Sequence, residues 1–169
     1  MKELKTHLPL DIFYVNLDWP VIPNDLCQEL IDFAKTAKNI WEGEKNNYST
    51  FAQYNGPESL ISWVQNNLSW IPKDYQIRLQ GIPNSTELSM HKDAMRGSSY
   101  NFVLTDDGST THWHNDQSEK IHSVKYTPRT WHQHQSQVAH SVDGGEVGRL
   151  AVTIFKFELQ PWFKKQMYL

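Results

Sequence analysis

The segment His91-Lys92-Asp93 places an imidazole and a carboxylate two residues apart. At the end of a β-strand both side chains point to the same face, so they can bind one metal ion together. A second imidazole has to come from elsewhere, and His140, in the largely apolar stretch 138–142, is the candidate. Two histidines and one carboxylate on one face of an octahedron leave three positions open, as in mononuclear non-heme Fe(II) sites. The sequence therefore predicts a metal site formed by His91, Asp93 and His140.

Arg149 lies nine residues after His140 and opens the strongly β-forming segment 149–155. A turn through residues 143–145 is expected to fold that segment back beside the strand that carries His140. The guanidinium would then project into the same cavity as the metal. An arginine inside a small barrel is costly unless an anion meets it, and its planar guanidinium matches a carboxylate through two hydrogen bonds. Arg149 therefore predicts an anionic ligand close to the metal.

Other histidines offer a second arrangement. His112 and His114 share one strand face, and together with Glu119 they could form a cupin-like metal site. A turn is expected directly after His114, and the glycines that cupins place around their ligands are missing. We therefore interpret His112, His114, His132 and His134 as residues of the cavity rim or of the surface, any one of which can still contact a substrate.

The composition narrows the class of protein. Seven of the eight histidines lie between residues 91 and 140, which places any metal or acid-base chemistry in the second half of the chain. The net charge of −3 gives no general attraction to nucleic acid. Cys27 is the only cysteine, which excludes a disulfide or a thiolate zinc site within one chain, and we expect it to be buried in a helix. No apolar run approaches the roughly 20 residues of a membrane helix, and the N-terminus lacks a signal-peptide core. We expect a cytoplasmic protein.

The 169 residues are expected to form a single domain of the α+β class. The first part, about residues 1–72, is predicted to be a helical lead-in with a strand over 11–17, a helix that begins at 23–25, a loop over 46–51 and a helix over 57–70. Short alternating segments separated by turn residues then form a core at about 75–159. These predicted strands cover residues 75–79, 88–91, 99–104, 110–113, 121–126, 130–134, 138–142 and 150–159. Eight short strands of this kind favour a sandwich or a jelly roll.

The ordered set of His91, Asp93, His140 and Arg149 resembles the 2-oxoglutarate- and Fe(II)-dependent dioxygenase superfamily, near its prolyl-hydroxylase-like and aspartyl/asparaginyl-hydroxylase-like branches. The resemblance covers about residues 75–159 and implies a double-stranded β-helix (jelly-roll) core with N-terminal helices. It also implies that His91, Asp93 and His140 hold Fe(II), and that Arg149 pairs with the far carboxylate of the cosubstrate 2-oxoglutarate.

The stretch 93–102 followed by 110–113 is similar to small oxygenases common in phages and marine microbes. If the protein is phage-encoded, the resemblance implies that it acts in the host cytoplasm. Two positions depart from the superfamily pattern. Ala151 stands where a serine or threonine often follows the arginine, and Val103 falls nearest the place of a tyrosine that often shares the far carboxylate. Asn101, on the same strand face as Val103, is our candidate for the second cosubstrate contact.

The resemblance implies an enzyme that couples the oxidative decarboxylation of 2-oxoglutarate by O2 to the hydroxylation of a substrate. Demethylation follows instead if the oxidised carbon is attached to nitrogen. The substrate can be a protein side chain, an amino acid or another small metabolite. One alternative is a cupin-type metal protein that uses His112, His114 and Glu119, and another is a non-catalytic jelly-roll binding module. The three interpretations differ in which histidines converge on a metal.

Overall fold

The computed structural model describes residues 4–5, 7–40, 52–105 and 108–167. The loop predicted over 46–51 lies outside these residues. The described elements in chain order are β1 (Tyr14–Leu17), α1 (Asn24–Thr36), β2 (Ala52–Asn55), α2 (Glu58–Asn67), β3 (Tyr75–Ile82), β4 (Glu87–His91), β5 (Ser98–Val103), β6 (Thr110–His114), β7 (Lys120–Val124), β8 (Trp131–Gln135), β9 (His140–Asp143), β10 (Arg149–Lys156) and α3 (Pro161–Met167).

The strands form two antiparallel sheets. The larger sheet has the order β1-β8-β5-β10-β3-β2, and the smaller sheet has the order β4-β9-β6-β7. From β3 onward the chain passes repeatedly between the two sheets, with β3, β5, β8 and β10 in the larger and β4, β6, β7 and β9 in the smaller. Each of the eight strands predicted after residue 72 overlaps one of β3 to β10, so the predicted β-core is confirmed as two antiparallel sheets.

The two faces of the larger sheet have different surroundings, because successive side chains of a strand point to opposite faces. On β10, Val152 and Ile154 are fully buried in an apolar cluster that includes Leu30 of α1 and Leu60 of α2. Burial of each such side chain contributes about 1.5–3 kcal/mol. The intervening positions, among them Arg149 and the residues 151 and 153, face the smaller sheet and line a cleft. The helices thus fix one face of the sheet and leave the other to the cleft.

The first 72 residues contribute strands to the larger sheet as well as helices. β1 pairs with β8, and β2 pairs with β3. Helix α1 begins within the predicted interval, and α2 is shorter at both ends than the predicted 57–70. Cys27 is fully buried in α1, as predicted. Among the described residues, no helix combines the length and the hydropathy that crossing a membrane requires.

The connection from β9 to β10 differs from the prediction. We expected the turn after Asp143 to place the Arg149 strand beside the His140 strand. Instead β9 has β4 and β6 on its two sides, so neither edge is open, and β10 pairs with β3 and β5 in the other sheet. Gly148 makes the crossing possible, since its φ is +82° and a Cβ atom there would lie 2.7 Å from the Ile82 carbonyl oxygen. His140 and Arg149 therefore approach the cleft from opposite sheets.

Candidate metal centre

The structure brings His91, Asp93 and His140 together. His91 ends β4, His140 begins β9, and the two residues are paired across the sheet. The potential ligand atoms of the three side chains all lie within 4.8 Å of one another. Nε2 of His91 is 3.9 Å from Oδ1 of Asp93, and Nε2 of His140 is 4.0 Å from Oδ2 of the same carboxylate. The register of the pairing between β4 and β9 shifts between Leu88 and His91, and such irregularities are common beside functional sites.

Both histidines present an Nε2 lone pair to this group. Nδ1 of His91 lies 2.7 Å from the Ser89 carbonyl oxygen, and Nδ1 of His140 lies 3.0 Å from the Val138 carbonyl oxygen. A carbonyl oxygen only accepts, so in each ring Nδ1 carries the proton and donates it. In the neutral ring Nε2 is then bare, the state that metal binding requires. Burial lowers the pKa of His140 to about 4, so this imidazole is neutral at pH 7.

Asp93 is held as a carboxylate by Arg96. Nε of Arg96 donates to Oδ2 at 2.8 Å, and a terminal nitrogen of Arg96 donates to Oδ1 at 3.2 Å. Burial raises the pKa of Asp93, but Arg96, His140 and His91 outweigh burial and hold that pKa well below its usual range. The guanidinium carbon of Arg96 also lies 5.1 Å from the centre of the Phe155 ring. Arg96 therefore fixes both the charge and the orientation of the carboxylate.

The two histidines line a cleft between the two sheets, of about 550 Å³ with its open mouth included, and Asp93 lies beside them. Arg149 lines the same cleft. Its Nε donates to the Ser109 hydroxyl at 2.7 Å, and both terminal nitrogens donate to the Thr111 hydroxyl at 3.1 and 3.2 Å. Its guanidinium carbon lies 5.3 Å from the centre of the Tyr126 ring. Hydroxyl groups on or beside β6 thus orient an arginine that comes from the opposite sheet.

Asn101 also lines the cleft, on the wall formed by the larger sheet. Its side-chain amide donates to the Ser99 hydroxyl at 3.0 Å, and it pairs with Thr153 of β10. Thr153 lies four residues from Arg149, roughly 13 Å along the strand. Asn101 therefore belongs to a different part of the cleft wall from the guanidinium. The pair nearer Arg149 is Val103 with Ala151, both apolar.

Three further cleft residues are Tyr126, which was not predicted, and His132 and His134, which were assigned to the cavity rim or the surface. Tyr126 stacks on His132, with ring centres 3.6 Å apart, and its hydroxyl lies 2.8 Å from Nδ1 of His134. His132 is only 1% exposed and Tyr126 only 8%. His132 and His134 therefore form a buried wall of the cavity, and their predicted alternative position on the surface is wrong. The two histidines occupy positions i and i+2 of β8, which was the one available signal. Nothing local marks Tyr126, which follows β7 by two residues.

His132 is a neutral, almost fully buried ring in the cleft wall. Burial lowers the pKa of His132 to about 3, and the charge of Arg149 acts in the same direction, so the ring is neutral at pH 7. The Thr130 backbone acts in the opposite direction and raises this pKa, but burial outweighs it.

His112 and His114, which belong to the predicted cupin-like arrangement, point away from the cleft. Thr111 contacts Arg149, and Trp113 packs against Val103 of the larger sheet, so both point into the space between the sheets. His112 and His114 alternate with them on β6 and therefore point to the outer face of the smaller sheet.

Each member of this second set is bound to its own neighbour. His112 hydrogen-bonds the Ser123 hydroxyl, His114 the Ser141 hydroxyl, and Glu119 accepts from the Asn115 amide. Within the described ranges, the one group of three or more potential metal ligands is that of His91, Asp93 and His140. The cupin-like set of His112, His114 and Glu119 is not assembled.

No family model matches the sequence, and no curated protein matches it. Solved structures do share its fold. A prolyl-4-hydroxylase from Pseudomonas putida superposes with a TM-score of 0.55 at 14% identity, over 87% of this chain and 93% of its own. A 2OG-Fe(II) oxygenase family oxidoreductase from Burkholderia pseudomallei gives 0.56 at 10% identity, over 88% of each chain. The DMSP lyase DddQ from Ruegeria pomeroyi DSS-3 gives 0.50 at 12% identity, over 90% of this chain and 82% of its own.

At these identities the likeness establishes the fold. The resemblance to 2-oxoglutarate- and Fe(II)-dependent oxygenases that the sequence indicated is confirmed at the level of the fold, since a protein described as a prolyl-4-hydroxylase and one described as a 2OG-Fe(II) oxygenase family oxidoreductase share the architecture over most of both chains.

Proposed function

We propose that the protein is a non-heme Fe(II) oxygenase that uses 2-oxoglutarate as cosubstrate. The observation that carries the proposal is the placement, in one cleft, of two histidines with bare Nε2 atoms and an arginine from the opposite sheet, with the Asp93 carboxylate beside the histidines. We further propose that β3 to β10 form a double-stranded β-helix within a single domain, which the regular passage of these strands between the two sheets supports.

The donor set fits Fe(II). Two imidazole nitrogens and one carboxylate are the ligands of the facial triad in non-heme iron oxygenases. With bonds of about 2.1 Å, neighbouring ligand atoms around an octahedral ion lie about 3 Å apart. The Nε2-to-carboxylate distances of 3.9 and 4.0 Å are about one ångström longer, so small side-chain movements bring the atoms to that spacing. Bound Fe(II) would supply open coordination positions for the cosubstrate and O2, and the oxidising chemistry.

We propose that Arg149 binds the far carboxylate of 2-oxoglutarate. Thr111, which receives hydrogen bonds from Arg149, lies two residues before Trp113 on β6, and Trp113 pairs with His140. The guanidinium and the metal group are therefore offset by roughly 7 Å along the sheet, a separation that a five-carbon dicarboxylate can bridge.

The remaining residues of the cleft orient ligands and exclude water. Ile82, Leu88 and Val142 give the cleft apolar walls, which strengthen every charge interaction inside it. Asn101 and Thr153 supply polar groups on the wall of the larger sheet, where they can fix the cosubstrate or the substrate. We propose hydroxylation as the outcome for a substrate that is a protein side chain, an amino acid or another small metabolite.

The test is an anaerobic titration of the Fe(II)-loaded protein with 2-oxoglutarate. A keto acid that binds Fe(II) through two oxygens gives a weak visible charge-transfer band, and we expect that band in the wild type. Succinate lacks the keto group and serves as the control that gives no band, and His140→Ala should give none with either acid. Absence of any spectral change at saturating iron and 2-oxoglutarate would contradict the proposal and favour a binding module.

A further inference from the structure

A chain of hydrogen bonds leads from Arg149 to His134. Both terminal nitrogens of Arg149 donate to the Thr111 hydroxyl oxygen, because a guanidinium has no acceptor. The hydroxyl proton of Thr111 is thereby left to donate elsewhere. Thr111 hydrogen-bonds the hydroxyl of Tyr126, so the Thr111 proton is directed to the Tyr126 oxygen.

This direction fixes the tautomer of His134. The Tyr126 oxygen accepts from Thr111, so its own proton points to Nδ1 of His134, 2.8 Å away. Nδ1 of His134 is then an acceptor, and a neutral ring carries its one proton on Nε2. The tautomer of His134 is therefore the opposite of that of His91 and His140, whose Nδ1 atoms donate to carbonyl oxygens.

His134 lies beside the metal group. Its ring centre is 4.8 Å from that of His140, in an edge-to-face arrangement, and it lines the cleft. The hydrogen bond from Tyr126 engages Nδ1 of this ring and leaves Nε2 on the opposite side of it. The cleft therefore contains an N–H donor next to two bare imidazole nitrogens.

We propose that His134 binds the 2-oxo acid cosubstrate, its Nε2–H donating to a carboxylate or keto oxygen at the metal end of that molecule. Tyr126 is the positioning residue that holds His134 in the donor tautomer. The same hydrogen-bond chain begins at Arg149, so it joins the groups that meet the two ends of one ligand. The identity of the ligand rests on the proposed function, whereas the tautomer rests on the hydrogen bonds alone.

The tautomer is tested by long-range 1H–15N NMR of Zn(II)-loaded protein labelled with 15N-histidine. We expect the His134 resonances, identified by their loss in His134→Gln, to show a protonated Nε2 and a bare Nδ1. In Tyr126→Phe, which keeps the ring but removes the hydroxyl, the Nδ1 shift should move away from that of a hydrogen-bonded acceptor. A wild-type His134 protonated on Nδ1 would overturn the inference.

The contact is tested by calorimetric titration of Mn(II)-loaded variants with 2-oxoglutarate. His134→Leu removes the donor, and we expect about tenfold weaker binding, the loss of one hydrogen bond to a charged group. His134→Gln places an amide N–H near the position of Nε2 and should recover most of the affinity. His112→Leu, on the outer face of the smaller sheet, is the matched control and should bind as the wild type does. All of these variants should retain Mn(II).

The outcomes separate the two claims. A wild type that binds 2-oxoglutarate and a His134→Leu variant that binds it equally well would overturn only the role of His134. Loss of Mn(II) from both His134→Leu and His134→Gln would make His134 a ligand and overturn the donor assignment. If His134→Leu does not fold, Tyr126→Phe is tested in its place. A Tyr126→Phe variant with an altered His134 tautomer and unchanged affinity for 2-oxoglutarate would overturn the contact. A wild type that binds Mn(II) but no 2-oxoglutarate would contradict the proposed function itself, and with it the ligand named here.

Discussion

The two ends of the cleft are held in place by different kinds of contact. At the metal end, each histidine is fixed by a backbone carbonyl two residues before it, and Asp93 by Arg96 three residues after it. At the other end, the partners of Arg149 are remote in the chain: Ser109 is 40 residues away and Thr111 is 38. The metal group is thus oriented by local chain geometry, and the arginine by the packing of two sheets.

This difference makes the two ends separable by mutation. Substitutions at sites that share no partner have additive effects in most proteins. Changes at the Arg149 end should therefore alter cosubstrate binding and leave metal binding intact, whereas loss of a metal ligand should remove both.

The largest effect is expected at the metal ligands. The wild type should bind one Fe(II) per chain, and His91→Ala or His140→Ala should abolish binding because two ligands do not hold the ion. His112→Ala is the control on the outer face and should keep its iron. Metal analysis after anaerobic dialysis measures the iron content of each protein. Full iron content in both His91→Ala and His140→Ala would contradict their assignment as metal ligands.

Arg96→Ala should destabilise the metal-free protein by about 3–5 kcal/mol at pH 7, because it leaves the buried Asp93 carboxylate without its partner. In the wild type the pKa of Asp93 is lowered, so its contribution to stability is present above the unfolded-state pKa and is lost as the pH falls. Arg96→Ala removes the largest contribution that offsets burial and leaves those of His140 and His91, so the folded-state pKa rises and acidification should relieve part of the loss.

Urea unfolding at pH 7 and pH 5 measures this effect. The double variant Asp93→Asn with Arg96→Ala is the matched control and should recover much of the stability, since it contains no unpaired charge. A loss of the same size in the single and double variants would show that Arg96 acts through packing on Phe155 instead.

Arg149→Ala should keep Mn(II) but weaken 2-oxoglutarate binding. Breaking a charge-assisted pair in a partly dry cavity costs on the order of 2–5 kcal/mol, which corresponds to a loss of about thirtyfold or more. Arg149→Lys should recover only part, because an ammonium lacks the planar fork. Calorimetry on the Mn(II)-loaded proteins compares them, and equal affinity in all three would mean that Arg149 does not bind the cosubstrate.

The smallest effect is expected for Ser109→Ala. Arg149 keeps its hydrogen bonds to Thr111 in this variant and loses only the one from Nε. A single hydrogen bond contributes about 1 kcal/mol, so 2-oxoglutarate should bind roughly fivefold more weakly. A loss as large as that of Arg149→Ala would show that Ser109, and not the sheet packing around Thr111, fixes the arginine.

The same contrast explains what the sequence could predict. His91 and Asp93 could be identified because a spacing of two residues at a strand end places both side chains on one face whatever the rest of the fold, and His140 because it lies in a largely apolar strand segment. The alternating segments located all of β3 to β10 for a similar reason. Arg149 was identified, but the expected pairing of its strand with β9 was wrong, because the sequence does not show that both edges of β9 are occupied by β4 and β6.

Tyr126 was not predicted as part of the site, and His132 and His134 were assigned only to the cavity rim or the surface, because the place of all three depends on long-range register. His132 and His134 pair with Asn101 and Ser99 of β5, more than 30 residues earlier in the chain. That register decides that they face the cleft and not the solvent. Tyr126 lies outside any strand, and only the folded chain brings its ring onto His132.

The central claim is tested most directly by a crystal structure of the protein with Mn(II) and 2-oxoglutarate under anaerobic conditions. We expect one ion within about 2.0–2.3 Å of Nε2 of His91, a carboxylate oxygen of Asp93 and Nε2 of His140. The far carboxylate of 2-oxoglutarate should lie on the guanidinium of Arg149. An ion bound at His112, His114 and Glu119, or a cosubstrate whose far carboxylate lies away from Arg149, would contradict the account.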